Sequence, residues 1–293
     1  MINGCGTALV TPFSAHGAVD IGALARLVEW QIDEGIDFLV PCGSTGEAAT
    51  MSLEEHVKVV THTAEAAAGR VPIVAGAGSN DTHKAIHLSH ELRSSGATHL
   101  LHVTPMYNKP PQRGLVAHFR AIADASPLPV ILYNVPGRTA INMLAETTLQ
   151  LAEHPNIVGV KEASGDLAQI TEIIRHRPKD FAVLSGDDAF TLAIVAAGGD
   201  GVISVISNAT PRLMTELVAL AWNEDMSAAR AIDDRLRPWM RAAFIESNPI
   251  PAKAALGMMG RIVPTLRLPL VPLADAHVAA VRAALVAAGA LAS

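Results

Sequence analysis

The residues best suited to chemistry follow one short apolar run in the middle of the chain. Residues 157–160 (Ile-Val-Gly-Val) have the character of a buried strand, and Lys161 comes directly after them. A parallel strand buried on both faces would place the Lys161 ammonium at the mouth of an apolar interior. The pKa of lysine falls readily on desolvation, and the neutral amine attacks carbonyl carbons to form a Schiff base. The alternative is that Lys161 merely ends a strand and extends into solvent.

Other apolar runs are also followed by polar or glycine-rich segments. These are residues 42–47 (Cys-Gly-Ser-Thr-Gly-Glu), 104–108, 133–139 and 185–188. If the runs are parallel strands of one barrel, all of these segments meet at its carboxyl end, where barrel enzymes keep their active sites. We therefore expect Lys161 to lie among hydroxyl groups and an arginine, which favours a reactive role.

Eight β-like runs, each followed by a helix-like segment, must position these residues. The runs are Thr7–Val10, Phe38–Pro41, Pro72–Ala75, His99–Val103, Val130–Tyr133, Ile157–Lys161, Ala182–Leu184 and Gly201–Val205. Eight strand-helix alternations indicate an α/β fold, a (β/α)₈ TIM barrel, and the alternative is a doubly wound open sheet. We predict a catalytic barrel over residues 1–225 and a C-terminal helical extension over residues 226–293, packed on the barrel. Thr210 to the end reads as helical, with a break at residues 248–251.

The composition narrows the class of protein. Half of the 293 residues are apolar, mostly aliphatic, and 17% are charged, which is typical of a well-packed α/β protein. The net charge of -6 comes without a Lys/Arg cluster and argues against a nucleic-acid partner. Two cysteines, no visible signal peptide and no long uninterrupted apolar stretch predict a cytoplasmic protein without a membrane partner.

Five spaced motifs carry a family resemblance. They are residues 6–13 (Gly-Thr-Ala-Leu-Val-Thr-Pro-Phe), 43–47, 107–110 (Tyr-Asn-Lys-Pro), 133–139 (Tyr-Asn-Val-Pro-Gly-Arg-Thr) and 160–166. From about Gly6 to Lys253 the chain resembles the pyruvate-dependent class I aldolases, the family of dihydrodipicolinate synthase and N-acetylneuraminate lyase. The resemblance implies that Lys161 forms a Schiff base with pyruvate and that the resulting enamine attacks an aldehyde. It implies no metal and no organic cofactor.

The resemblance also assigns roles around Lys161. Backbone N–H groups near Gly43 and Thr45 suit the pyruvate carboxylate. Tyr133 is expected to move protons through Ser44, a position commonly occupied by Thr in the family, to Tyr107 of a neighbouring subunit. This implies an obligate dimer, usually within a homotetramer. The predicted substrate-binding set is completed by Gly186 and Ile203.

Arg138 bears on the second substrate. A guanidinium binds a carboxylate through two parallel hydrogen bonds, which suits L-aspartate 4-semialdehyde. The expected product is 4-hydroxy-tetrahydrodipicolinate, in the diaminopimelate and lysine pathway. One alternative is an aldolase of the same family acting on a sugar-acid or aromatic aldehyde. Another is a non-catalytic relative that binds a keto acid as a sensor.

Feedback control is where the chain departs from part of the family. Lysine-inhibited members bind lysine near positions corresponding to 53, 56, 80, 84 and 106, with a carboxylate at 84 and an aromatic residue at 106. Here Leu53, Lys84 and Met106 differ, and the Lys84 ammonium would repel that of the effector. We expect weak or absent inhibition by lysine.

Three further patterns have ordinary structural interpretations. We expect the histidines at 83, 87 and 90 to lie on a solvated helix face, Asp187-Asp188 to cap a helix, and residues 197–201 (Ala-Gly-Gly-Asp-Gly) to form a tight turn at the amino end of strand eight.

Overall fold

Eight parallel strands form a closed barrel in the computed structural model, which describes residues 1–292. The strands are β1 (Gly4–Ala8), β2 (Phe38–Val40), β3 (Val74–Gly76), β4 (His99–Val103), β5 (Val130–Asn134), β6 (Ile157–Glu162), β7 (Ala182–Ser185) and β8 (Gly201–Ser204). Their order is β2-β1-β8-β7-β6-β5-β4-β3, and a parallel bridge between Leu39 and Ile73 joins β2 to β3. The (β/α)₈ barrel is therefore confirmed and the open sheet excluded.

The predicted strand positions agree with the structure except at β1. Seven strands differ from prediction by at most two residues at either end. The first begins at Gly4 rather than Thr7, because Gly4 and Cys5 pair with Gly201 and Val202. A Cβ at Gly6 would lie 2.0 Å from the Phe38 ring. Glycine at that position lets the Phe38 ring pack against β1.

Helices surround the barrel and extend it at the C-terminus. They are α1 (Ile21–Asp33), α2 (Leu53–Ala67), α3 (Thr82–Glu91), α4 (Gln112–Ala125), α5 (Pro136–Thr139), α6 (Ala145–Ala152), α7 (Leu167–His176), α8 (Thr191–Ala196), α9 (Pro211–Trp222), α10 (Met226–Ala242), α11 (Ile250–Met258) and α12 (Asp275–Ala288), with 3₁₀ turns at Ala48–Thr50, Leu92–Ser94, Asp188–Phe190 and Ile206–Asn208. The side chains of Ser52, Asp81 and Asp166 cap the starts of α2, α3 and α7.

The C-terminal part is less helical than predicted. Between α11 and α12, residues 259–274 form no helix, since Pro264, Pro269 and Pro272 interrupt it. Leu236 and Trp239 of α10 and Leu285 of α12 join the same buried cluster as the barrel strands. The division into units at residue 225 stays a prediction. Among residues 1–292, no helix combines the length and the apolar character needed to cross a bilayer.

Candidate active site

Lys161 lies in the barrel interior at the carboxyl end of β6. It is 5% exposed and pairs in register with Tyr133 of β5 on one side and Leu184 of β7 on the other. Its Nζ lies 4.3 Å from the centre of the Tyr133 ring. The alternative of a lysine extending into solvent is therefore wrong, because the barrel closes around the side chain.

The surroundings of Lys161 change its protonation. The pKa of Lys161 is lowered to about 7, mainly because the side chain is buried; the Asp188 carboxylate opposes this shift and the Arg138 guanidinium adds to it. Burial raises the pKa of Tyr133 to about 12. Near neutral pH the pocket therefore holds an amine that is neutral in a large fraction of molecules, next to a phenol that keeps its proton.

A cavity of about 160 Å³ opens above Lys161. It brings together seven of the predicted site residues: Gly43, Ser44, Thr45, Tyr133, Arg138, Lys161 and Gly186. At position 186 a Cβ would lie 3.1 Å from Lys161 Cε and 2.7 Å from Ala163 Cβ. Only glycine leaves the lysine side chain its space there.

Two predicted residues do not line this cavity. Ile203 on β8 is fully buried and packs in the barrel core, so its predicted contact with substrate stays a prediction. Tyr107 follows β4, is 89% exposed and has a left-handed backbone (φ 74°). Among residues 1–292 the Tyr133–Ser44–Tyr107 relay is not connected by hydrogen bonds.

Residues 42–47 form the loop after β2, named here the anion loop, and two of its backbone N–H groups have no protein acceptor within the described chain. Its two flanking residues, Cys42 and Glu47, have left-handed backbones (φ 56° and 57°), which turn the loop sharply. The N–H groups of Gly46 and Glu47 donate to carbonyl groups within the loop. Those of Ser44 and Thr45 have no protein acceptor within the described chain. Backbone N–H groups without an acceptor, at the mouth of a barrel, suit a carboxylate.

A buried ion pair holds this loop from behind. Lys253 Nζ on α11 lies 2.5 Å from Glu47 Oε1, and both side chains are fully buried. The backbone N–H of Arg267 donates to Glu47 Oε2 at 3.1 Å. The Lys253 ammonium and the Arg267 guanidinium also lie over the Phe13 ring, 4.0 and 4.4 Å from its centre. The C-terminal extension thus fixes the strained end of the anion loop.

Arg138 stands at the cavity mouth rather than on a remote surface. It belongs to the short helix α5 that follows β5, and its Nη2 donates to the Asn248 carbonyl oxygen at 3.1 Å. A guanidinium held by one contact keeps its remaining N–H groups for a ligand. The position fits a residue that binds the carboxylate of a second substrate at the entrance.

The sequence does not reveal the roles of Asn248 and Asp188. Asn248 lines the cavity, whereas the sequence predicts only a helix break at residues 248–251. Asp188 is 2% exposed, and its Oδ2 accepts from the backbone N–H groups of Val205 and Ile206. The prediction that both aspartates cap a helix is wrong for Asp188 and confirmed for Asp187, which accepts from Ala189 N. Burial raises the pKa of Asp188 to about 6.

The remaining sequence patterns have the expected ordinary roles. The histidines at 83, 87 and 90 are exposed on α3. Residues 197–200 form the turn before β8, at the end of the barrel away from Lys161, where Asp200 pairs with Arg177.

Comparison with known proteins agrees with this fold and site. Residues 1–288 match the dihydrodipicolinate synthetase family. A 4-hydroxy-tetrahydrodipicolinate synthase from Koribacter versatilis is 53% identical over 273 residues, which cover 93% of this chain and 91% of the relative. The chain is thus a (β/α)₈-barrel enzyme with a buried lysine at the carboxyl end of the barrel. It belongs to the dihydrodipicolinate synthetase family.

Two solved structures are similar along almost the whole chain. The chloride-inhibited dihydrodipicolinate synthase from Acinetobacter baumannii, complexed with pyruvate, superposes with a TM-score of 0.97 at 44% identity, covering 99% of this chain and 100% of that one. Dihydrodipicolinate synthase from Cyanidioschyzon merolae with lysine bound gives a TM-score of 0.96 at 43% identity, covering 99% of each chain.

Proposed function

We propose that this chain is a 4-hydroxy-tetrahydrodipicolinate synthase, which condenses pyruvate with L-aspartate 4-semialdehyde. The observation that carries the proposal is Lys161, a buried amine with a pKa lowered to about 7, in one cavity with Tyr133 and an open anion loop. The names of the relatives support the same reaction. The Arg138 guanidinium at the mouth favours a carboxylate-bearing aldehyde over a sugar acid or an aromatic aldehyde.

The first half of the reaction uses Lys161 and Tyr133. The neutral amine attacks the keto carbon of pyruvate, the keto oxygen leaves as water, and an iminium forms. The iminium withdraws electrons, so the methyl carbon loses a proton and becomes an enamine. The Tyr133 hydroxyl moves protons to and from the reacting oxygen and carbon. The free N–H groups of Ser44 and Thr45 hold the pyruvate carboxylate in place.

The second half joins the two substrates. Arg138 binds the carboxylate of the semialdehyde, which brings the aldehyde carbon to the enamine. A carbon–carbon bond forms, and the aldehyde oxygen takes a proton to become the hydroxyl group. The amine of the semialdehyde then attacks the iminium carbon, which closes the ring, breaks the bond to Lys161 and frees its amine.

We infer that a second copy of the chain completes the site with Tyr107. A large aromatic side chain held in a left-handed conformation and 89% exposed has little to stabilise it within one protomer. We propose a dimer, within a tetramer, in the cytoplasm, where the buried thiols of Cys5 and Cys42 stay reduced. Mixed dimers of Tyr107→Ala and Lys161→Ala subunits should regain activity that neither variant has, whereas an inactive mixture would exclude the shared site.

Trapping with borohydride tests the proposed chemistry directly. Pyruvate and borohydride should add one stable adduct to the protein, mapped by mass spectrometry to Lys161 and missing in Lys161→Ala. An unmodified mass in the folded protein would favour the keto-acid sensor instead. The turnover rate with pyruvate and aspartate semialdehyde should exceed the turnover rates with N-acetylneuraminate and with 2-keto-3-deoxy-gluconate. The reverse order would identify a different aldolase.

A further inference from the structure

The segment between α10 and α11 forms part of the wall of the cavity. Phe244 and Asn248 both line it, and Asn248 is only 5% exposed. This segment lies in the C-terminal extension, outside the eight strands that supply Lys161 and Tyr133. It therefore contributes to the site a residue that the barrel alone does not provide.

The side chain of Asn248 donates a hydrogen bond to the Thr45 hydroxyl. Asn248 Nδ2 donates to Thr45 Oγ1 at 2.8 Å, and Thr45 is 4% exposed. A hydroxyl carries a single proton, and here one of its lone pairs already accepts from the amide. Thr45 Oγ1 has no other protein partner within residues 1–292, so its proton is free to be donated into the cavity. An oriented O–H donor is what a carboxylate requires.

The opposite arrangement of the amide would be unfavourable. Asn248 Oδ1 is buried without a hydrogen-bond partner. Exchanging the amide oxygen and nitrogen would instead bury two unpaired N–H bonds. Unpaired buried donors are rarer in proteins than under-satisfied carbonyl oxygens.

The backbone of the same residue holds the second substrate-binding group. The Asn248 carbonyl oxygen accepts from Arg138 Nη2 at 3.1 Å. One residue therefore contacts Thr45 through its side chain and Arg138 through its main chain. Replacing the side chain affects the first contact and leaves the second in place.

We propose that Asn248 is a positioning residue that presets the Thr45 hydroxyl as a donor to the carboxylate of the keto acid. This inference deepens the proposed function and rests on it. The side chain acts on the pyruvate half of the site, and the carbonyl group orients Arg138 for the aldehyde half. The two roles can be separated, because only the first depends on the side chain.

Steady-state kinetics of two side-chain variants provide the test. Asn248→Ala should raise the KM for pyruvate by about 5- to 10-fold, the loss of one oriented hydrogen bond, and leave the KM for aspartate semialdehyde within about 2-fold. Asn248→Asp, of nearly the same shape, should raise the pyruvate KM further, because its carboxylate accepts the Thr45 proton and repels the substrate. The control is Ser247→Ala, an exposed neighbour whose side chain makes no described hydrogen bond.

A double-mutant cycle ties the effect to Thr45. In a Thr45→Val background, Asn248→Ala should add no further increase to the pyruvate KM, because the hydroxyl is already absent. Additive effects would overturn the proposal, as would equal increases in both KM values, which indicate general loosening. A wild-type pyruvate KM in Asn248→Asp would also overturn it. Borohydride trapping of the wild-type protein separates this outcome from a failure of the proposed function: without a pyruvate adduct on Lys161, the function itself is wrong.

Discussion

The lowered pKa of Lys161 makes a quantitative prediction about its reactivity. Burial brings the pKa from 10.5 to about 7. At pH 7 the neutral, nucleophilic fraction of an ordinary lysine is about 0.03%, whereas an amine with a pKa near 7 is about half neutral. The structure therefore accounts for roughly a thousandfold more reactive amine at neutral pH. The rate of any reaction at Lys161 should rise with pH and level off above about pH 8.

Amine acylation measures this pKa without relying on turnover. The protein is treated briefly with a small acylating reagent at pH 5 to 10, and the modified peptides are quantified by mass spectrometry. Labelling of Lys161 should follow a single titration with its midpoint near pH 7. The exposed Lys58 in the same digest serves as the reference for reagent reactivity.

Two variants should shift the midpoint in opposite directions. The Asp188 carboxylate favours the ammonium form, so Asp188→Asn should move the midpoint below that of the wild type. The Arg138 guanidinium disfavours the ammonium form, so Arg138→Leu should move it upward. A wild-type midpoint above pH 9, or shifts of both variants in the same direction, would refute the electrostatic account.

Three more outcomes follow from the structure. Tyr133→Phe removes the only hydroxyl beside the Lys161 amine in strand register and should lower kcat by about 10²- to 10⁴-fold with the pyruvate KM changed little; a kcat within 5-fold of wild type would exclude the proton-transfer role. Lys253→Met leaves the Glu47 carboxylate buried without its cation and should lower the free energy of unfolding, measured in urea, by about 3 to 5 kcal/mol. The exposed control Lys58→Met should leave that free energy almost unchanged. Free lysine should inhibit the enzyme weakly or not at all, because Lys84 stands where lysine-inhibited relatives are expected to have a carboxylate. Lys84 lies near Asn80, whose Nδ2 donates to the Met106 carbonyl oxygen. Lys84→Glu should strengthen inhibition, and a submillimolar inhibition constant for the wild type would contradict the prediction.

The barrel and its reactive lysine could be predicted because both depend on local patterns. Apolar runs bounded by turn residues identify parallel strands, and parallel strands bring their carboxyl ends together. Lys161, Tyr133 and the loop at residues 43–45 could therefore be placed at one end of the barrel from the sequence.

Asn248 and Asp188 could not be predicted in this way. Asn248 meets Thr45 from 203 positions away, and that contact depends on how the C-terminal extension returns across the barrel mouth. Asp188 looked like its neighbour Asp187, and only the packing of β7 against β8 turns one carboxylate inward and the other outward. Neither the role of Asn248 nor that of Asp188 can be inferred from the spacing of residues in the sequence.

The pair formed by Glu47 and Lys253 has a consequence for biosynthesis of the enzyme. The two partners are separated by most of the polypeptide, so a ribosome has already delivered every barrel strand before the lysine emerges. In a nascent or shortened chain that ends before Lys253, the Glu47 carboxylate lacks its cation, so the anion loop lacks the ion pair that holds its end in place. The loop that carries the Ser44 and Thr45 N–H groups is thus fixed only after all eight barrel strands have been synthesised.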